Sequence, residues 1–290
     1  MVINVRERLI RIHACRGVTW LTIKKFFEFD PTLKNVFVLS KDELREKFTL
    51  SNDQIVNIYH GLHCKSISAN IAKYPQLGIH VVTIFDKTYP LLLKEIYDPP
   101  WVLYCKGNLS HLSFENKISV VGTRSPSRNG ILSLNKVVTP LVESGWLIVS
   151  GLAVGIDAQA HMVALNNHRN TIAVLASGFN YIYPRCHQKL AHFISKEHLL
   201  ISEYPPNQKP QKWNFPMRNR IISGLSKGTI VIEARKRSGS LITADLALQQ
   251  GREVFAVPGS ILDERTEGNH WLIQQGAKLT KCSNDVLNEL

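Results

Sequence analysis

The sequence predicts an α/β protein built on a doubly wound, mostly parallel sheet and preceded by a small all-helical N-terminal domain. Three observations carry this. From Lys117 onward, short apolar strands alternate with helical segments of roughly ten to fifteen residues, the pattern of a parallel sheet with right-handed crossovers. The first two of these strands, in KISVVGT and WLIVSGL, are short and largely apolar and end in turns of small residues, as buried parallel strands do. Before residue 74 the apolar residues recur at helical spacing instead.

Taken in order, Leu9, Ile12 and His13, then Leu21, Ile23, Phe26 and Phe27, mark the first helices, and Asp30-Pro31 interrupts them. Ser40 with Glu43 forms a capping box for the next helix, and Ser51 caps another that carries Ile55, Ile58 and Tyr59. Such a set suits a module of the sterile-alpha-motif or helix-hairpin-helix kind. Tyr74-Pro75 opens a connector, so the domains divide as 1–75 and 76–290. Strand character follows in HVVTIF and WVLYCKG, separated by proline-marked turns. The regular part then has strands at 118–121, 147–149, 171–175, 199–203, 229–233 and 253–257. Helices are expected at 158–166, 219–226, 241–250 and 270–275.

Lysine and arginine number 35 against 23 acidic residues, a net charge of +12, which favours a polyanionic partner. The five cysteines are scattered with no CxxC pair, as in a reducing, cytoplasmic setting. His60, His63 and Cys64 lack a second cluster that would complete a metal site. No run approaches the length of a membrane span, and the charged start does not read as a secretory signal.

Four strand ends share one chemistry. Gly122-Thr123-Arg124, Ser150-Gly151, Ser177-Gly178 and Ser238-Gly239-Ser240 pair backbone that an anion can approach with hydroxyl donors. GTRSPSRNG lacks the GxGxxG dinucleotide fingerprint and the chain lacks a Walker lysine motif, so no nucleotide cofactor is expected. Cations crowd the same edge: Arg124 and Arg128, Arg185, then eight basic residues against one acid from Lys209 to Arg237. Phe179, Tyr181, Tyr183, Trp213 and Phe215 are interleaved with them, as unpaired bases would require.

VVGTRSPSRNG, SGLAVGIDAQAH, SEYPPN, WNFPMRNRIISGL and ARKRSGSLITADLALQQGREVFAVPG closely resemble the DNA-processing protein A (DprA/Smf) family, from about His80 to Leu287. The resemblance implies an enlarged Rossmann-like domain that binds single-stranded DNA without sequence preference. It also implies homodimers that protect DNA and load the RecA recombinase on it during natural transformation. Gly122 and Arg124 match the family's first turn; Ser150, Gly151, Gly155 and Asp157 match SGLAxGID. Arg185 and Lys189 stand at usually basic positions, Pro216, Arg218, Asn219 and Arg220 match FPxRNR, and Ser238, Gly239, Ser240 and Thr243 match RSGSLIT. With Thr123, Arg128, Ser177, Gly178, Phe179, Phe215 and Arg237 these make the expected DNA surface. His270, Trp271, Leu272 and Ile273 make the expected dimer surface. The winged-helix module that ends many relatives is not expected after Leu287. A nucleotide-cleaving enzyme is the rival reading. Thr243 stands where such enzymes place a carboxylate, and a hydroxyl is a poor general acid or base, so binding without catalysis is the expectation.

Overall fold

The computed structural model describes residues 4–290, which form two compact units. The first comprises residues up to Tyr89 together with Pro100–Tyr104. It holds helices α1 (Val5–His13), α2 (Trp20–Phe29), α3 (Lys41–Lys47), α4 (Asn52–His63) and α5 (Lys65–Ala72), followed by strand β1 (Ile79–Thr83). The capping boxes expected at Ser40 and Ser51 both form, with Glu43 and Gln54 as their reciprocal partners. Leu9, Ile12, Ile23, Phe26, Leu44, Ile55, Ile58 and Leu62 are buried as its core.

The division falls beyond residue 75. The segment 76–89, expected with the larger domain, goes with the helices because Arg6 binds the Asp86 carboxylate at 2.8 Å and the Val81 carbonyl at 2.6 Å. Trp101 likewise donates its indole N–H to the Trp20 carbonyl.

The second unit comprises Pro90–Pro99 and Cys105–Leu290. It starts with the short helix α6 (Leu91–Lys94) and receives the last residues of β2 (Val102–Gly107). Seven strands follow: β3 (Lys117–Val121), β4 (Leu147–Ser150), β5 (Thr171–Leu175), β6 (Leu199–Ser202), β7 (Gly228–Val231), β8 (Glu253–Ala256) and β9 (Lys278–Leu279). They pair in parallel throughout, in the order β6-β5-β4-β3-β7-β8-β9. The helices are α7 (Arg128–Glu143), α8 (Ile156–Asn166), α9 (Gln188–Glu197), α10 (Asn214–Gly224), α11 (Gly239–Gln249), α12 (Glu267–Gln274) and α13 (Asn284–Leu287). Every residue of β3, β4, β5 and β7 is buried, as strands covered on both faces must be. Ile118, Val120, Ile148 and Ile230 pack under Leu134, Val138 and Leu141 of α7 and Ala160 of α8; Ala173, Leu175 and Leu200 pack with Ala191 and Ile194 of α9.

Chain order places the site. From β3 the chain moves outward through β4, β5 and β6, then returns to the other side of β3 as β7 and continues to β8 and β9. The connections from β3 and β7 therefore leave in opposite directions and open a crevice above their carboxyl ends, where ligands of such sheets bind.

α10 starts five residues before the expected 219, because Pro216 lies in its first turn, where a missing N–H costs nothing. β9 and α9 are not among the expected elements: β9 is only two residues long, whereas α9 is an amphipathic helix that buries Ala191 and Ile194.

Candidate nucleic-acid interface

A cleft of about 270 Å³ lies at that crevice. The turn after β3 supplies Gly122, Thr123 and Arg124; the start of α10 supplies Phe215, Pro216, Arg218 and Asn219. The turn after β7 and the first two turns of α11 supply Arg235, Ser238, Gly239, Ser240 and Thr243. Asp157 of α8 lines the same space.

The β3 turn is held from beneath by Glu233. Its carbonyl accepts from Thr123 N at 2.7 Å, and its buried carboxylate accepts from the Ser127 amide at 2.8 Å and from the Ser127 hydroxyl. This presents Arg124 to solvent with no ion-pair partner among the described residues. Arg218 is different. Its side chain is buried: Nη1 donates to the carbonyls of Gly151 and Val174, and Nε donates to the Asn219 side chain at 3.1 Å. Burial lowers its pKa, against the pull of Asp157. Asp157 accepts from Gly151 N at 3.1 Å and Ala153 N at 3.4 Å, bracing the turn before α8. Burial raises its pKa, opposed by Arg218 and Arg124.

The expected residues divide sharply. Gly122, Thr123, Arg124, Phe215, Arg218, Asn219, Ser238, Gly239, Ser240 and Thr243 meet in the cleft. Several others are corrected. Ser150 is fully buried and donates to the Val120 carbonyl. Gly151 spends its N–H on Asp157 and its carbonyl on Arg218. Gly178 donates to the Gln208 carbonyl and packs against Pro205 and Pro206, while Ser177 donates to Tyr181 O, so the third turn is plugged. Arg220 is only 2% exposed and lies between Glu203 (2.6 and 2.7 Å) and Asp98 (3.1 Å), an internal ion cluster rather than a phosphate contact.

Arg128, Phe179, Arg185, Lys189 and Arg237 lie outside the cleft lining; the four cations among them are exposed. Tyr183 packs edge-on against Phe215 at 5.4 Å, and Lys209 sits over the Tyr181 ring at 5.8 Å, so aromatics and cations extend from the Phe215 side. At the expected dimer helix, Leu272 is 2% exposed and belongs to the core, His270 is tied to the Gly259 carbonyl, Ile273 is half-buried and Trp271 is 46% exposed. Arg235, four residues beyond the end of β7, and Asp157 also line the cleft, although neither is among the residues expected at the DNA surface.

The model of the family "DNA recombination-mediator protein A" matches residues 80–290. The chain belongs to this family. Its members process DNA as recombination mediators, and the rest of the comparison agrees. The DNA processing protein DprA of Bacillus subtilis is 51% identical over 220 residues, 76% of this chain and 74% of the relative. An X-ray structure of DNA processing protein A from Streptococcus pneumoniae superposes with a TM-score of 0.83 at 41% identity, covering 100% of this chain and 99% of that one. A DNA processing protein A from Helicobacter pylori, described for its unique single-stranded DNA binding mode, matches with a TM-score of 0.66 at 28% identity over 73% of this chain and 94% of that one. Among the described residues no helix is long and apolar enough to cross a membrane.

Proposed function

We propose that the protein binds single-stranded DNA without sequence preference, with phosphates at the β3/β7 cleft and bases against Phe215 and Tyr183, and that it hands the strand to a RecA-type recombinase as a homodimer through the Trp271 face. The observation that carries the reading is the meeting of Arg124, Arg218 and Arg235 with the N-terminus of α11 in one crevice. Helix N-termini and guanidinium groups both favour phosphate. Aromatic faces beside them favour unpaired bases, which a duplex would hide.

Nucleotide cleavage has less support. Glu203 is engaged by Arg220 and Glu233 by Ser127, and Asp157, in the cleft, accepts from two backbone amides. The Thr243 hydroxyl is directed to the Gly239 carbonyl of its own helix.

Fluorescence anisotropy with labelled single- and double-stranded oligonucleotides tests the partner class. Single strands should bind tighter, with a salt slope of about −0.7 per phosphate contacted, so that four contacts lose roughly several hundredfold per decade of salt. Equal affinity for duplex would sink the reading. Release of free base from nucleoside monophosphates would favour the enzyme instead.

A further inference from the structure

The cleft has features that a track for strand interiors does not require. Arg218 is only 6% exposed, and the groups that accept from it, Asn219 and the carbonyls of Gly151 and Val174, are all neutral. No carboxylate among the described residues forms an ion pair with it, and its Nη2 makes no hydrogen bond within the protein. With only the Asp157 carboxylate acting on it, from beyond ion-pair distance, this buried guanidinium gains from any further anion that reaches it.

A second group points the same way. Ser240, in the first turn of the eleven-residue helix α11, is 8% exposed, lines the cleft and makes no side-chain hydrogen bond within the protein. The Ser238 hydroxyl at the same helix start is buried without a partner. Gly239 between them leaves the backbone open, since a side chain there would meet nothing within 4 Å. Hydroxyls and the first amides of a helix are the donors that wrap the several oxygens of one phosphate.

Charge and size narrow the ligand. Three guanidiniums face the single carboxylate of Asp157 in the lining, and Arg235 is only loosely engaged, 4.0 Å from the exposed Glu264. An internal phosphodiester brings one negative charge, whereas a phosphomonoester brings nearly two at neutral pH. At about 270 Å³ the space suits one nucleotide rather than a run of them.

We propose that this cleft seats a terminal phosphomonoester of a DNA strand, so that the protein grips phosphorylated strand ends in preference to strand interiors. The proposal rests on the reading that the cleft binds single-stranded DNA, and it adds which part of the strand enters.

The test is anisotropy on the full chain at low salt. Matched oligonucleotides carry a 5′-phosphate, a 3′-phosphate or hydroxyls at both ends, with the label on the opposite end. One phosphorylated strand should bind about tenfold tighter than the hydroxyl strand, the effect of one added unit charge across an effective dielectric near 20 at about 10 Å. Deoxycytidine monophosphate should displace it more effectively than inorganic phosphate. Ser240→Ala should shrink the ratio between phosphorylated and hydroxyl strands. Equal affinity of wild-type protein for all three strands would overturn the proposal while leaving single-strand binding intact. Inorganic phosphate competing as well as the nucleotide would assign the seat to the free ion and overturn it too, as would a full ratio retained by Ser240→Ala. Failure to bind any strand would overturn the parent reading, and the proposal with it.

Discussion

Arginines that look alike in FPMRNR have opposite jobs. Arg124→Ala removes an exposed charge that makes no ion pair among the described residues, so single-strand affinity should fall for all sequences and the salt slope should become shallower by about 0.7, with the melting temperature nearly unchanged. A titration showing the same slope would remove Arg124 from the contact set. Arg220→Ala leaves the buried Glu203 and the half-buried Asp98 without their cation, and should cost about 3–5 kcal/mol in urea unfolding. A loss below about 1 kcal/mol would mean the cluster is not structural. Arg218→Ala combines both effects, because the Gly151 and Val174 carbonyls lose their donor at about 1–3 kcal/mol. The motif could not separate them: the side chains differ by two positions on one helix, and only the packing of α10 decides which meets the cleft and which meets Glu203.

At the level of elements, the strands from Lys117 to Val257 were readable because burial on both faces forces unbroken apolar runs. The helix starts were less so, since Pro216 disguises the first turn of α10. The four turns of small residues were equally persuasive in sequence, yet two are occupied by the protein itself. Gly151 bonds Asp157, and Gly178 lies under the Pro205–Gln208 loop. Glycine after a parallel strand serves close packing as readily as anion approach, and only neighbours distant in sequence tell the two apart.

The contact of α8 with β5 sets a pH dependence. Thr171 gives its hydroxyl proton to the Ile148 carbonyl, so His161 donates from Nδ1 to the Thr171 oxygen, and Nε2 is buried with no partner. Protonation at Nε2 would bury a charged N–H with no acceptor, and burial accordingly lowers the pKa to about 3. The unfolded chain takes up this proton near pH 6.5 and the folded one does not, so stability should drop as pH falls from about 6.5 toward 3. His161→Leu should flatten the acid limb of a stability–pH profile; an unchanged limb would count against the assignment.

For the molecule as a whole, the proposed dimer can be probed only through a side chain that is free to meet a partner. Leu272 is core, and a charge there would unfold the chain. Trp271→Glu should instead halve the mass seen by light scattering at an unchanged circular dichroism spectrum. A mass equal to that of wild type would move the interface elsewhere. The crevice where the strand order turns back, between β3 and β7, has a separate outcome. The cleft floor is locked by close packing: any side chain at Gly122 would strike the Ile156 side chain, and one at Gly155 (φ 83°) would strike the Thr123 carbonyl. Side chains are therefore shut out of these two floor positions, while the rim, where Arg124, Arg235 and Ile242 stand exposed, is open to change. A breeder of variants could retune how hard the proposed seat holds a strand, but not where.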